Sequence, residues 1–277
     1  MPDGDAEVPS HLTAQVDLKL AGVRVQLTVT APVGRVGPGA LLPVLHALSE
    51  AIERDTCDQL AQKGKTVSCG PACGACCRQL VPVTRIEAAH LAGLVAEMPE
   101  PRRSRLRGRF QAALRRLEET GLLNTLRDFP PSSPREREAL GLAYFQLGIA
   151  CPFLEEESCS IHDQRPLSCR EYLVTSPPQR CACPGDGGVE GVRLPIRLSG
   201  VLSRLANSPT PAARAWVPLP LVIETAESQT CEFENRSGVD WVEHLFRLLS
   251  SGEFPAAEKE PGLPIADHPS QSAPRLP

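Results

Sequence analysis

From residue 16 apolar and polar positions alternate: Val16, Leu18 and Leu20, then Val23, Val25, Leu27 and Val29, with Ala21-Gly22 between the runs. Period-two alternation on both sides of a glycine turn predicts a β-hairpin with one buried face. Residues 32–38 are rich in glycine and proline and read as a connector. The period then changes, because Leu42, Leu45, Leu48, Ile52 and Leu60 share one side of a helix predicted over about 41–62. Thr84 with Glu87 makes a capping box for a helix to about residue 98, broken by Pro99 and Pro101. Leu106, Phe110, Leu114 and Leu117 are the buried stripe of the next helix, closed by Gly121. Ser133-Pro134-Arg135-Glu136 supplies a cap, an N1 proline and an N3 glutamate for a helix to about 147. Residues 151–154 and 159–162 read as short extended segments around a turn at 155–158. Helices are expected over 194–206 and 239–249, with a shorter helix or strand over 219–226.

These elements predict a mainly α chain with a small β component, an α+β domain with an N-terminal hairpin. The expected organisation is a hairpin plus helix over 13–65, a cysteine-bearing region over 66–185 and a helical part over 186–252. Residues 13–252 read as one domain. Residues 1–12 and 253–277 lack hydrophobic periodicity and are expected to be disordered.

Composition narrows the function classes. The chain has 277 residues and a net charge of −4, which argues against a nucleic-acid partner. Seven arginines fall between Arg102 and Arg116; in an acidic chain they read as a solvated helix face balanced by Glu118 and Glu119. No apolar run approaches a membrane span, and residues 1–10 lack the core of a secretory signal. The expectation is a cytoplasmic protein that does not engage a membrane.

In that setting the 11 cysteines favour metal over disulfides, and an odd number cannot pair completely. Cys69, Cys73, Cys76 and Cys77 fall within nine residues, spaced by small residues that let the backbone curl round a centre. Soft thiolates select zinc or an iron–sulfur centre over hard cations. Cys73 and Cys76 form one hook of a zinc site, completed by Cys151 with Cys159 or Cys169. Three thiolates from a compact run and a distant fourth fit an iron–sulfur cube equally well. Seven thiols exceed one four-thiolate site, which leaves room for two metals or a polynuclear cluster. Cys57 stands on its helix without a cysteine neighbour and reads as a core thiol. The roles of Cys181 and Cys183 are open. The spacing Cys69-x3-Cys73-x2-Cys76 also matches the radical-SAM signature. That signature precedes repeated βα units, whereas helices are predicted here.

Taken in order, Cys69-x3-Cys73-x2-Cys76-Cys77, Cys151-Pro152-Phe153-Leu154, Cys159-x-Ile161-His162 and Arg165-Pro166-x2-Cys169-Arg170-x-Tyr172 resemble the YkgJ-like CxxCxxCC cysteine-cluster family. The resemblance covers about residues 66–175. It departs in a first gap of three residues rather than two, and in His162, where the family often has tyrosine. It implies a zinc- or iron-chelating domain with Cys69, Cys73, Cys76, Cys77, Cys151, Cys159 and Cys169 as metal ligands. Members are labelled iron–sulfur oxidoreductases by analogy, and one branch is associated with lysine methylation of flagellin. Arg165, Arg170 and Tyr172 would donate hydrogen bonds to the thiolates, with His162 at the edge of the site. Alternatively, Arg165 and Arg170 pair with Asp163 and Glu171 at the surface. Two functions stand: a redox iron–sulfur protein, and a structural zinc module whose role is to bind a protein partner. Because metal binding and folding are linked, metal removal is expected to unfold at least residues 66–175.

Overall fold

The computed structural model describes residues 10–70, 72–129, 133–184, 188–205, 216–228 and 233–251. The disorder expected of residues 1–9 and of the C-terminal tail lies outside them. Strands β1 (His11–Leu20) and β2 (Val23–Pro32) pair antiparallel from Leu20↔Val23 to His11↔Pro32. Ala21 and Gly22 turn between them with φ of 46° and 96°, as a tight hairpin requires. The strand begins at His11, so residues 11 and 12, expected to be disordered, belong to β1. Pairing extends outward because Thr13 hydrogen-bonds Thr30 and Gln15 donates to Thr28 across the polar face.

A short strand β3 (Arg35–Val36) leads to helix α1 (Leu42–Gln62), which carries the expected stripe. After the cysteine run come β4 (Pro82–Thr84), α2 (Arg85–Glu97), α3 (Arg102–Glu119), α4 (Leu122–Arg127) and α5 (Pro134–Gln146). Both predicted capping boxes are present: Thr84 with Glu87 starts α2, and Ser133 with Glu136 starts α5. Gly121, at φ 75°, ends α3, and the chain re-enters a helix at once as α4. The hairpin β5 (Leu154–Glu155) and β6 (Ser158–Cys159) and helices α6 (Leu167–Arg170) and α7 (Pro178–Cys181) form the second cysteine-bearing region. Helix α8 (Leu198–Leu205), strand β7 (Trp216–Pro218), helix α9 (Val222–Ser228), strand β8 (Arg236–Ser237) and helix α10 (Gly238–Ser251) follow.

Beyond β1–β2 and β5–β6, β4 pairs with β7 and β3 with β8, all antiparallel. Two apolar cores result. One packs the hairpin on α1, α8 and α10 through residues such as Val25, Leu45, Leu202 and Leu245. The other unites α2, α3, α4, α5 and α9 through Leu91, Leu106, Phe110, Leu126 and Val222. Cys76, Cys151, Cys159 and Cys169 pack against this second core. Among the described residues no helix is long and apolar enough to cross a membrane.

Candidate metal centre

The cysteine run is folded as a tight turn. Residues 75–78 form one turn of 3-10 helix, with the Cys77 amide donating to the Gly74 carbonyl and the Gln79 amide to the Cys76 carbonyl. The Cys151 amide then donates to the Cys77 carbonyl at 2.7 Å, so a backbone bond joins the two halves of the motif. The β5–β6 hairpin sets Leu154 opposite Cys159 and turns at Glu156 and Glu157, with φ of 49° and 56°. Gly74 is required beneath this turn. A Cβ there would lie 2.5 Å from Glu157 Oε2 and 2.8 Å from Leu154 Cδ1. Arg78 bridges the two pieces, donating to the Gly74 carbonyl at 2.9 Å and pairing with Glu157 at 2.6 Å.

The arginine-rich helix holds the hairpin from behind. Arg109 reaches the Pro152 carbonyl at 3.2 Å and Glu155 at 3.0 Å, and Arg102 donates to the Ser160 carbonyl at 3.0 Å. These two residues are therefore structural clamps rather than part of a merely solvated face. The third piece is anchored by Glu87, whose carboxylate accepts the Leu167 amide at 2.7 Å at the start of α6. The Ser68 amide donates to the Val174 carbonyl at 2.8 Å and closes the ring of segments.

This framework brings two groups of thiols together around Cys76. In the inner group, Cys151 and Cys169 are raised first by burial and then by one another's neighbours: Cys159 and Cys76 act on Cys151, and Cys151, Cys76 and Cys159 on Cys169. The Cys151 thiol is pushed up to about 12. Cys76 is raised by its hydrogen bond with the Cys77 thiol, then by burial. Cys159 is raised by burial, with Cys76 adding to it. The outer group is Cys69, Cys73 and Cys181. Burial raises Cys69, and Cys76 and Cys73 add to it. Burial pushes Cys181 up to about 11, with repulsion from Cys69, Cys76 and Cys73. All ten described cysteines are free thiols.

The cations around the thiols divide by role. Arg165 opposes the raised values of Cys69, Cys76, Cys159 and Cys169. Its Nε is buried without a hydrogen-bond partner, while its Nη2 lies 3.8 Å from Glu53 on α1. Arg170, at 4% side-chain exposure, is instead a brace: it donates to the Asp163 and Arg165 carbonyls and pairs with Glu50 at 3.3 Å. Neither arginine takes Asp163 or Glu171 as its carboxylate partner in these ion pairs, because α1 presents Glu50 and Glu53 to them first. Tyr172 binds the outer group: its hydroxyl accepts from Gln79 at 3.3 Å and hydrogen-bonds Cys181, and its carbonyl lies 4.0 Å from Cys69 Sγ. His162 is not drawn in; its exposed ring lies 3.6 Å from Asp163.

Among the described residues, three cysteines outside the expected ligand set separate clearly. Cys181 is buried as a member of the outer group, whereas Cys183 is exposed. Cys57 is not isolated as its helix suggested: it is half-buried and lies within electrostatic reach of Glu53 and Cys69. Its spacing from Glu50 and Glu53, one face of α1, is the signal that pairs it with the site.

Among the described residues no three histidine, cysteine, aspartate or glutamate side chains stand at ion-holding spacing. The donor chemistry nevertheless fits zinc or iron: the clustered groups are soft thiols, and the buried, unpartnered Arg165 Nε matches a centre that gathers negative charge. Residues 68–183 match the family model described as "CxxCxxCC: Putative zinc- or iron-chelating domain". No curated protein and no solved structure matches the chain. The segment that carries the thiols, residues 68–183, is thus similar to the CxxCxxCC family, whose description names zinc or iron as the chelated metal.

Proposed function

We propose that this domain holds an iron–sulfur centre and serves as a redox protein, with Cys76, Cys151, Cys159 and Cys169 as the inner ligands. Cys69, Cys73 and Cys77 complete the ligand set, and Cys181 stands beside Cys69 and Cys73. The observation that supports this reading is the crowding of burial-raised thiols around Cys76. As neutral thiols they gain little from one another, and binding a soft cation would convert them to thiolates and turn mutual repulsion into attraction. Metal binding would also draw the sulfurs closer than they stand in this structure. A thiol surplus over four favours a cluster above one zinc ion. An iron–sulfur centre supplies one-electron transfer, and Arg165 would stabilise its more negative state.

A second reading is a structural zinc module that binds a protein partner. Its support is the packing of Cys76, Cys151, Cys159 and Cys169 against the apolar core. Free thiols at all ten described cysteines suit a reducing compartment such as the cytoplasm. Neither reading calls on nucleic acid or a membrane.

Purification without oxygen, followed by iron, sulfide and zinc analysis and a visible spectrum, separates the two. Iron with sulfide and a brown chromophore is the expected result; one colourless equivalent of zinc refutes the redox reading. Cys169→Ser should lower metal content, while exposed Cys183→Ser should not.

A further inference from the structure

Strand β1 leaves one edge of the hairpin open. The turn at Ala21 and Gly22 closes on the pair Leu20↔Val23, and beyond the far end the Val33 amide donates to the Ser10 carbonyl at 3.0 Å. Both ends of the ladder therefore assign the even-numbered residues of β1 to the bonds with β2. The odd-numbered residues, His11, Thr13, Gln15, Asp17 and Lys19, turn their amides and carbonyls outward. Among the described residues β1 pairs with β2 alone. A row of outward backbone groups is a template for another strand, and proteins ordinarily blunt it with charges, proline or a covering element. Residues 11–16 contain no Asp, Glu, Lys, Arg or Pro.

The apolar face is uncovered along the same stretch. The even-numbered residues of β1 share the side of buried Leu20, yet Leu12 is 49% exposed, Ala14 is exposed and Val16 is half-buried. Their cross-strand neighbours Ala31 and Val29 on β2 are buried. Helix α1 packs on β2, whereas α10 reaches β1, and α10 keeps Val242 and Phe246 only half-buried against the core. Open backbone and open apolar surface thus coincide on one strand.

We propose that β1 pairs antiparallel with β1 of a second copy, making a four-stranded sheet across a two-fold axis at Ala14. Only odd-numbered residues can exchange backbone bonds across this edge, which limits the registers. With Ala14 on the axis, Thr13 of one copy bonds Gln15 of the other, His11 bonds Asp17, and Leu12 lies opposite Val16. No like charges oppose one another there, whereas centring the axis on Gln15 sets His11 against Lys19. One strand supplies both sides of the contact, as a two-fold interface requires. A strand of unrelated sequence would meet the backbone without this match of side chains. The surface lies outside residues 68–183 and does not depend on the thiol centre.

The test is light scattering on the full chain with its metal as purified, under reducing conditions, from low micromolar concentration upward. A dimer is expected. Gln15→Pro removes an outward amide and spares the ladder with β2, so it should weaken the dimer by about ten-fold or more. Ala14→Lys sets like charges together on the axis and should weaken it by about five-fold or more, and mixing with Ala14→Glu should restore a mixed dimer. Circular dichroism and melting check folding; if Gln15→Pro is not folded, the exposed Ala14 pair carries the test. The proposal is overturned by a wild-type monomer throughout the series, by a dimer unchanged in the folded variants, or by failure of the Ala14 variants to pair with each other. A monomer in which the Thr13 and Gln15 amides resist hydrogen exchange would place another segment of the same chain on the edge, and it overturns the proposal too.

Discussion

Glu87 joins a helix start to the cysteine site, and removing it should loosen both. The side chain is 2% exposed and accepts three hydrogen bonds. Oε2 takes the Thr84 amide and hydroxyl, each at 2.9 Å, and Oε1 takes the Leu167 amide at 2.7 Å. Thr84 and Leu167 are both at 0% exposure, so no water replaces the lost acceptor. In Glu87→Ala, each orphaned amide costs about 1–3 kcal/mol, and loss of the capping box overlaps the Thr84 share at about 1 kcal/mol. Burial raises the Glu87 carboxyl above its usual value, so deleting it returns part of a desolvation cost. The net expectation is about 3 kcal/mol of destabilisation. Glu87→Gln keeps one oxygen and turns an amide nitrogen toward the other donor, so it should cost about 1–2 kcal/mol. Urea unfolding followed by circular dichroism gives these values from the midpoint at unchanged slope. Leu45→Ala, in the other core, is the control: it should destabilise by about 2–5 kcal/mol yet leave metal content alone. Glu87→Ala should lower metal content as well, because Leu167 opens the helix that carries Cys169. A cost below about 1 kcal/mol, less than one buried unmet donor, would refute the argument.

Three further outcomes are expected. Gly74→Ala should lower metal content by forcing the cysteine run off the Glu156–Glu157 turn, while Gly70→Ala, where a Cβ meets nothing within 4 Å, should not; equal metal content would contradict the close approach. His46 is pushed down to about 4 by burial and the nearby charges of Arg170 and His90, so its contribution is full above 6.5 and is lost as pH falls toward 4. Glu171 is pushed up to about 7 by burial, so its contribution is full below 4.5 and is lost as pH rises toward 7. Relative to wild type, His46→Leu should gain and Glu171→Gln should lose on acidification, by up to about 3 kcal/mol each across those windows. Parallel pH–stability curves would refute both assignments. Chelation under reducing conditions should speed hydrogen exchange over residues 68–78 and 151–170 while leaving helicity nearly intact, since α2, α3 and α4 are held by their own core. Global loss of helicity would instead support the wider unfolding expected from sequence.

What could be read from sequence followed the range of the forces involved. The hairpin, α1 and both capping boxes are written in neighbouring residues, and each forms where expected. The β4–β7 and β3–β8 pairings were missed because they join two- and three-residue strands from opposite ends of the chain, with no periodicity to betray them. Helix α4 was missed because Gly121 reads as a stop, although a left-handed glycine also permits a new helix at once. At the site, thiol spacing brought out the two halves. It could not show that Arg170 finds Glu50, that Arg109 holds the hairpin, or that Cys57 lies within electrostatic reach of Cys69.

Those missed contacts share a pattern with a physical consequence. The thiols of the inner and outer groups all come from residues 68–183, but the groups that fix the nearby charges do so from outside that segment. Glu50 and Glu53 of α1 hold Arg170 and Arg165, and Ser199 of α8 donates backbone and side-chain hydrogen bonds to the buried Glu171. These contacts surround the chain from Arg165 to Glu171, where Cys169 lies. A buried arginine without its carboxylate is costly, so the segment keeps its shape only while α1 is docked. The hairpin in turn holds α1 in place through the core that they share with α8 and α10. The elements before and after the matched segment therefore act on the thiol site through charge and position rather than by supplying ligands. A metal bound there would feel Arg165 through a guanidinium whose placement is decided on α1.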